Sequence, residues 1–402
     1  MRRWRHVSRP TILTFSQGYL PGFRHGGPVR TLANLVERLG DEFDFRIITA
    51  DRDSGEMRPY EGILRDQWQP VGKAQVYYAS PVALRPSRLM RLLRDTPHDV
   101  MYLNSFFSPR FTIVPLGLRR AGLVPRRPVI VAPRGEFSPA ALSLKAWKKN
   151  AYRRVARAVG LYSHVIWQAS SDREEVDIRR EFGTGAVVFI APNLAPAAAN
   201  NVWNPPIKPH GHLRIVFLSR IVPMKNLLGA LSMLDRVRGE ITFDVYGPRE
   251  DERYWSECEV AIRRLPPNVR VRVNGPVENG HVEELLTRYD LLLLPTLGEN
   301  YGHVIVEAFR SGCPVLISNR TPWRDLADKG VGWDLPLEDP DRFREALQAC
   351  VDMGPDDYAA FRERVRRFGM RISADEEVVA LNRTLFSYAA RSSTDEAPRY
   401  AG

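Results

Sequence analysis

The chain has 402 residues, 44% of them hydrophobic and 26% charged, with a formal net charge of +11. That length allows two domains with separate cores, and the composition is that of an ordinary soluble globular protein. Three scattered cysteines, Cys258, Cys313 and Cys350, exclude a metal-ligand spacing and fit a reducing compartment, and no apolar run reaches the roughly 18 residues of a membrane span.

Arg2, Arg3, Arg5 and Arg9 precede an apolar segment, Ile12–Phe15, that is far too short for a signal peptide. A cytoplasmic protein is expected. The positive charge admits nucleic acid, an anionic membrane face, anionic small molecules or plain solvation as its counterpart. No zinc-finger, RNP or recognition-helix pattern favours nucleic acid, so none is expected as a partner.

The first predicted strand, Thr11–Ser16, runs through Gly18 and Gly22 to Gly26-Gly27-Pro28 and a helix, Val29–Leu39, with Leu32, Leu35, Val36 and Leu39 at helical spacing. Pro28 suits a first helical turn, and adjacent glycines admit either a tight turn or close approach of backbone to an anion. The G-x-G-x-x-G fingerprint of dinucleotide enzymes is absent. Strands are predicted at Phe43–Thr49, Gln75–Ala79, Val100–Leu103, Val129–Ala132, Val165–Gln168 and Val187–Ile190. Helices are predicted near Pro86–Leu93, Arg110–Ala121, Pro139–Ala158 and Ser171–Phe182, the last capped by Ser171. This β–α rhythm predicts a doubly wound, mostly parallel sheet.

Beyond the strand ending at Ala132 stands Pro133-Arg134-Gly135-Glu136, where α/β enzymes place chemistry. Arg134 is read either as a ligand for a sugar hydroxyl or an anionic substituent, or as a structural partner of Glu136. In helix 139–158, Trp147, Ala151 and Val155 repeat at i, i+4, i+8 and are expected to form the buried stripe. Its other face carries Lys145, Lys148, Lys149, Arg153, Arg154 and Arg157, which is either a solvated surface or a contact with an anionic membrane.

Residues 196–212, rich in Ala, Asn and Pro, read as a linker between domains. The strand Leu213–Leu218 then leads to Ser219-Arg220-Ile221-Val222-Pro223-Met224-Lys225-Asn226 and a helix, Leu227–Val237. Arg220 and Lys225 flank a strand-to-helix turn, where a fork and a point charge can neutralise a diphosphate; surface charges are the plain alternative. The beat continues with strand Ile241–Tyr246, a loop at Gly247, helix Asp251–Arg264, strand Val269–Val273, a loop reaching Val277, and helix His281–Arg288. Leu291–Leu294 reads as a fully buried strand, followed by a polar turn, a helix starting near His303, and a second buried strand, Pro314–Ser318. Glu299 in the turn and Glu307 in the helix stand eight residues apart, as solvated residues or as carboxylates for ligand hydroxyls beside a helix N-terminus. Helices near Asp341–Asp352, Pro355–Phe368 and Ser373–Tyr388 and a polar tail close the chain.

The run P-T-L-G-E-N-Y-G-H-V-I-V-E-A, with Glu299 and Glu307 seven residues between, and its continuation G-C-P-V-L-I-S-x-x-T-P-W resemble the signature of the family-4 retaining glycosyltransferases. The resemblance implies an α/β GT-B fold, two Rossmann-like doubly wound domains facing across a cleft. Domains are then expected at 1–195 and 213–371, a linker at 196–212, a helix 372–390 crossing back to the first domain, and a flexible tail at 391–402. It implies transfer of a sugar from a nucleotide-diphosphate-sugar to a glycan or lipid-linked acceptor, with anomeric retention. No acidic pair of D-x-D type stands in a fitting loop context, so neither a catalytic metal nor another cofactor is expected. Glu307 is then expected on ribose hydroxyls and Glu299 on the transferred sugar, with Asn300, Tyr301, Gly302 and His303 as further substrate-binding residues. Arg220 and Lys225 stabilise the leaving diphosphate, Gly26 and Gly27 face the donor, and the loops at Gly247 and Val277 border the base. Arg134 stands where many relatives have a histidine. Cell-envelope or exopolysaccharide assembly on the inner membrane face, through helix 139–158, is the implied setting. A GT-B nucleotide-sugar epimerase and a non-catalytic basic membrane- or RNA-binding protein are the alternatives; a nicotinamide oxidoreductase lacks its fingerprint.

Overall fold

Strands that are apolar at every position need cover on both faces, and alternation sends successive side chains to opposite cores. In β1 (Thr11–Phe15), Ile12 joins one apolar cluster while Leu13 and Phe15 join another. The computed structural model describes residues 9–138, 141–142, 146–197 and 203–394. Arg2, Arg3, Arg5, Lys145, the start of helix 139–158, residues 198–202 of the expected linker and residues 395–402 of the tail lie outside the described residues.

The chain divides into two compact units, one running to Pro196 and resuming at Glu376, the other spanning Ala197–Asp375. The first contains β1, α1 (Gly27–Leu39), β2 (Asp44–Ala50), β3 (Trp68–Val71), β4 (Ala74–Ala79), α2 (Pro86–Asp95) and β5 (Val100–Leu103). A π-helical turn, Pro109–Ile113, leads into α3 (Val114–Arg120), then β6 (Val129–Val131), α4 (Ala146–Ala158), β7 (Val165–Ala169), α5 (Asp172–Phe182) and β8 (Val187–Ile190). Its sheet has the order β3-β4-β2-β1-β5-β6-β7-β8, parallel except where β3 pairs antiparallel with β4 at the edge. The strand order reverses between β1 and β5. The last helix, α12 (Glu376–Thr394), belongs to this unit and sets Phe386 against Phe43, Phe45 and Tyr102, with centroids 5.2–5.7 Å apart.

The second unit contains β9 (His212–Leu218), α6 (Leu227–Met233), β10 (Glu240–Tyr246), α7 (Glu252–Arg263), β11 (Val269–Gly275), α8 (Val282–Thr287), β12 (Leu291–Leu294) and α9 (His303–Arg310). β13 (Val315–Ser318), β14 (Gly332–Leu335), α10 (Pro340–Asp352) and α11 (Pro355–Ser373) complete it. The sheet is parallel throughout in the order β11-β10-β9-β12-β13-β14, so the reversal lies between β9 and β12. All four leucines of β12 are fully buried.

Edge strands β3 and β14 were not anticipated: each has only one strand neighbour, and half-exposed edges lack a continuous apolar run. The expected buried stripe of helix 139–158 is also corrected. Trp147 is 72% and Val155 61% exposed, and Ala151 is exposed too. The inward face of α4 is Lys149, Tyr152, Arg153 and Ala156 instead. Tyr152 packs on Phe106 and Phe107 and bonds the Tyr162 hydroxyl at 2.6 Å, Lys149 lies 5.0 Å over the Phe107 ring, and Arg153 and Arg157 pair with Glu181. Long cationic side chains bury their stems and satisfy their heads locally, so they compete for an inward face that hydropathy assigns elsewhere. No described helix is long and apolar enough to cross a membrane.

Candidate active site

Ligands of doubly wound sheets lie beyond the carboxyl ends of the strands where the order reverses. In the second unit those ends belong to β9 and β12, and their loops carry most of the residues singled out above.

The loop after β9 is held against its neighbours by backbone. Ser219 N donates to Tyr246 O and Ile221 N to Pro248 O, which brings Arg220 beside the loop after β10. Gly247 makes this approach possible: at φ +139°, a Cβ there would fall 1.8 Å from the Ser219 carbonyl oxygen. Arg220 Nη1 pairs with Glu250 at 3.0 Å, with side chains 46% and 31% exposed. Asn226, in left-handed conformation, accepts from Gly229 N at the start of α6 and donates to Pro295 O beyond β12. Its place in the motif gave it no assigned role, although Asn is among the few residues that adopt φ near +57° readily.

The Met224 carbonyl accepts from Leu297 N at 2.8 Å and from the buried Thr296 hydroxyl at 3.0 Å, which joins the β9 and β12 loops. Lys225 Nζ then meets Glu299 Oε2 at 2.5 Å, with side chains only 13% and 18% exposed. Glu299 N donates to Arg320 O, and Trp323 Nε1 donates to Tyr301 O. Rings of Tyr301, His303 and Trp323 stack edgewise. Gly302 caps α9 at φ +79°, where a Cβ would press on Ile305 and on the Glu299 side chain. Glu307, one turn into α9, is 4% exposed, so it is no surface carboxylate. Burial, and then the charge of Glu307, push the Tyr301 hydroxyl above its usual range. From behind, Gly369 of α11 lets that helix approach the α9 backbone, and buried Arg310 pairs with Glu283 at 2.6 Å.

Arg220, Lys225, Glu299, Asn300, Tyr301, Gly302, His303, Glu307 and Gly247 therefore share the carboxyl ends of β9, β10 and β12. Val277 stands apart, on the loop after β11 two strands from β9, and packs partly against the core. Among the described residues no group of three His, Cys, Asp or Glu side chains is placed to hold a metal ion. A cavity of about 610 Å³, lined by His212, Glu240 and Arg270, opens at the opposite, amino-terminal end of β9–β11.

Gly26, Gly27 and Arg134 lie in the first unit, at the carboxyl ends of β1 and β6. Gly26 caps α1 at φ +65° with open space where a Cβ would stand, and Asp53 grips the preceding loop through Phe23 N and Arg24 N. Arg134 does not pair with Glu136, which corrects one of its two readings. Glu136 accepts from Ser105 Oγ, Phe106 N and Phe107 N, three oxygen-seeking donors in one turn. Arg134 spends its planar fork on Asn193 Oδ1, the Tyr102 hydroxyl and Asn104 Oδ1, all at 2.5–2.6 Å. Its left-handed backbone, φ +56°, is held by the buried Glu174, which accepts from Gly135 N. Tyr102, Asn104, Asp53 and Glu174 carried no sequence signal beyond their places after or within strands and helices.

Residues 204–368 match the family described as "Glycosyl transferases group 1", a span within the second unit and under half of the chain. No curated protein matches the sequence. Among solved structures, the chain is similar to Anabaena Alr3699/HepE in complex with UDP and glucose, at 15% identity and a TM-score of 0.67, covering 95% of this chain and 100% of that one. It is similar to sucrose-phosphate synthase from Thermosynechococcus elongatus, at 16% identity and 0.66, covering 94% and 100%. It is also similar to WaaG, a glycosyltransferase involved in lipopolysaccharide biosynthesis, at 14% identity and 0.62, covering 94% and 98%. The chain has the α/β fold of these GT-B structures, with a parallel sheet in each unit.

Proposed function

We propose that the protein is a glycosyltransferase that moves a sugar from a nucleotide-diphosphate-sugar to a hydroxyl acceptor with retention at the anomeric carbon. The observation that carries this reading is the meeting of Lys225 and Glu299 at the reversal point of the second sheet, beside Arg220 and a helix N-terminus. It is supported by the family match over the same residues and by the likeness to a fold whose solved members include complexes with UDP-glucose.

In this reading Lys225, with three donors, shares itself between Glu299 and the diphosphate, while Arg220 leaves Glu250 for the phosphates. Cations fixed before the reaction lower the barrier because they face charge that grows on the leaving group as the glycosidic bond breaks. Glu299 and the amides of Asn300, Tyr301 and Gly302 orient the sugar, with His303 beside them, and buried Glu307 accepts from ribose hydroxyls. The acceptor hydroxyl attacks on the face the diphosphate leaves, and the leaving phosphate takes its proton; no carboxylate-bound intermediate and no metal is involved. Gly26, Gly27 and Arg134 contribute from the first unit, and the loops of Gly247 and Val277 border the base. The acceptor is a glycan or lipid-linked glycan of cell-envelope or exopolysaccharide assembly, met in the cytoplasm.

The test is a thermal-shift screen of nucleoside diphosphates and nucleotide-sugars, followed by product analysis with the donor that binds. A specific nucleotide should raise the melting temperature, transfer should survive a chelator, and the product linkage should keep the donor's anomeric configuration. Glu299→Gln and Arg220→Ala should abolish turnover with the fold retained. Donor converted to an isomeric nucleotide-sugar without acceptor would replace the reading with epimerisation.

A further inference from the structure

The second sheet carries a cavity that sugar transfer does not use. Parallel pairing sets Arg214, Thr242 and Arg270 in register on β9, β10 and β11, so the three side chains share one face. Their neighbours Leu213, Ile241 and Val269 turn the other way, into the core. Strands about 4.8 Å apart set the backbones of the two arginines about 10 Å apart, with the threonine between them. This row lines the cavity of about 610 Å³ at the amino-terminal ends of the strands, a size that suits a small molecule. Arg214 is fixed beforehand. Its Nε and Nη2 bond the fully buried Asp290 at 2.9 and 2.7 Å, and its Nη1 bonds nothing among the described residues. Arg270 is exposed, and neither it nor Thr242 has a side-chain hydrogen bond or ion pair among the described residues. Two residues earlier on the same face, His212 Nδ1 lies 3.5 Å from Glu240, so that carboxylate is not spent on Arg270. Ile207, 81% exposed, and Pro267 add apolar walls.

We propose that this cavity binds a phosphate ester of a sugar, its phosphate held between Arg214 and Arg270 over the Thr242 hydroxyl and its sugar hydroxyls on His212 and Glu240. Arginine forks match phosphate oxygens in pairs, and the neutral hydroxyl completes the cradle. Glu240 makes a bare inorganic anion the poorer ligand, because a carboxylate accepts from hydroxyls and repels further negative charge. Ile207 and Pro267 cover the apolar face of the sugar ring. An acidic protein segment is disfavoured as occupant because Glu240 would repel a run of carboxylates. The site is separate from the diphosphate residues. β10 has seven residues, so its two ends stand about 20 Å apart and both ligands bind at once.

Calorimetry of the full chain at low salt tests this with glucose 6-phosphate, fructose 6-phosphate and ribose 5-phosphate, beside inorganic phosphate and glucose. At least one ester should bind with one-to-one stoichiometry and more tightly than inorganic phosphate, and glucose should not bind. Arg270→Ala should weaken that ester at least about tenfold, and Thr242→Val about three- to fivefold. Both variants should keep the parent's melting temperature and nucleoside diphosphate binding, because neither side chain is buried and both stand at the far end of the sheet. Arg220→Ala should bind the ester as the parent does, which separates this cavity from the diphosphate residues. Unchanged ester binding in Arg270→Ala overturns the proposal. So does loss of ester binding in Arg220→Ala, or the failure of all three esters to bind. Inorganic phosphate as tight as every ester overturns it too, leaving an anion site that reads no sugar. A parent that binds an ester here but no nucleoside diphosphate would count against the transferase reading alone.

Discussion

Lys225 and Glu299, 74 residues apart in the chain, meet at 2.5 Å where the second sheet reverses direction. Each side chain is less than one-fifth exposed, so the pair is weakly screened and each partner fixes the other's position.

The pair predicts coupled kinetics. Lys225→Ala should cost about 10²–10³ in kcat, the scale for removing one preorganised transition-state donor. Glu299→Gln should be comparably damaging. The double variant should fall short of the summed losses by about 1–3 kcal/mol, because both act on one charge arrangement. Initial rates in a double-mutant cycle test this; strict additivity would mean the two residues act separately.

Glu250 is a competitor for Arg220. Their ion pair is nearly half exposed on the arginine side, so its net worth is small and salt-sensitive. Glu250→Gln should therefore tighten nucleoside diphosphate binding about two- to fivefold at low salt, with the gain fading as salt rises. Calorimetry at two ionic strengths reads this, and weaker binding would assign Glu250 the opposite role, holding Arg220 in position.

Two glycines should respond differently to alanine. At Gly247 the new Cβ meets backbone of Ser219 at 1.8 Å, and backbone cannot rotate away. Gly247→Ala should cost more than about 3 kcal/mol in denaturant unfolding. Gly26 has open space around its Cβ position and only its φ of +65° to strain, so Gly26→Ala should cost about 1–3 kcal/mol. Equal losses would contradict the difference in surroundings.

His98 makes the first unit acid-sensitive. It is 6% exposed; Nδ1 lies 2.7 Å from Thr96 O and so carries the proton, while buried Nε2 has no hydrogen-bond partner among the described residues. Burial lowers its pKa from 6.5, and Arg127 and Arg46 reinforce this against the Thr96 bond and Asp99. Between the folded pKa and 6.5 the unfolded chain binds a proton that the native state refuses. Its stabilising contribution is complete above pH 6.5 and falls with pH through that window, by at most about 1.4 kcal/mol per pH unit. Urea midpoints at pH 7 and pH 5 should differ, and His98→Gln should show a smaller difference.

Much of the local structure was legible. Leu291–Leu294 is buried on both faces because nothing but apolar side chains occupies it, and Ser171 caps α5 by accepting from Glu174 N. The eight-residue step from Glu299 to Glu307 located the β12–α9 loop. Sequence spacing did not reveal that Glu307 is buried or that Lys225 lies on Glu299, since both follow from which strands become neighbours.

By itself, then, the sequence determined the β–α alternation, the buried central strands and the loops bearing candidate charges, because apolar periodicity, caps and glycines act within a few residues. Tertiary structure alone decided which face of α4 turns inward, what Arg134 grips and which cation meets which carboxylate. The physical reason is that an amphipathic helix has two usable faces and a long cation can bury its stem. The choice between them depends on partners, such as Phe107 and Glu181, that come from elsewhere in the chain.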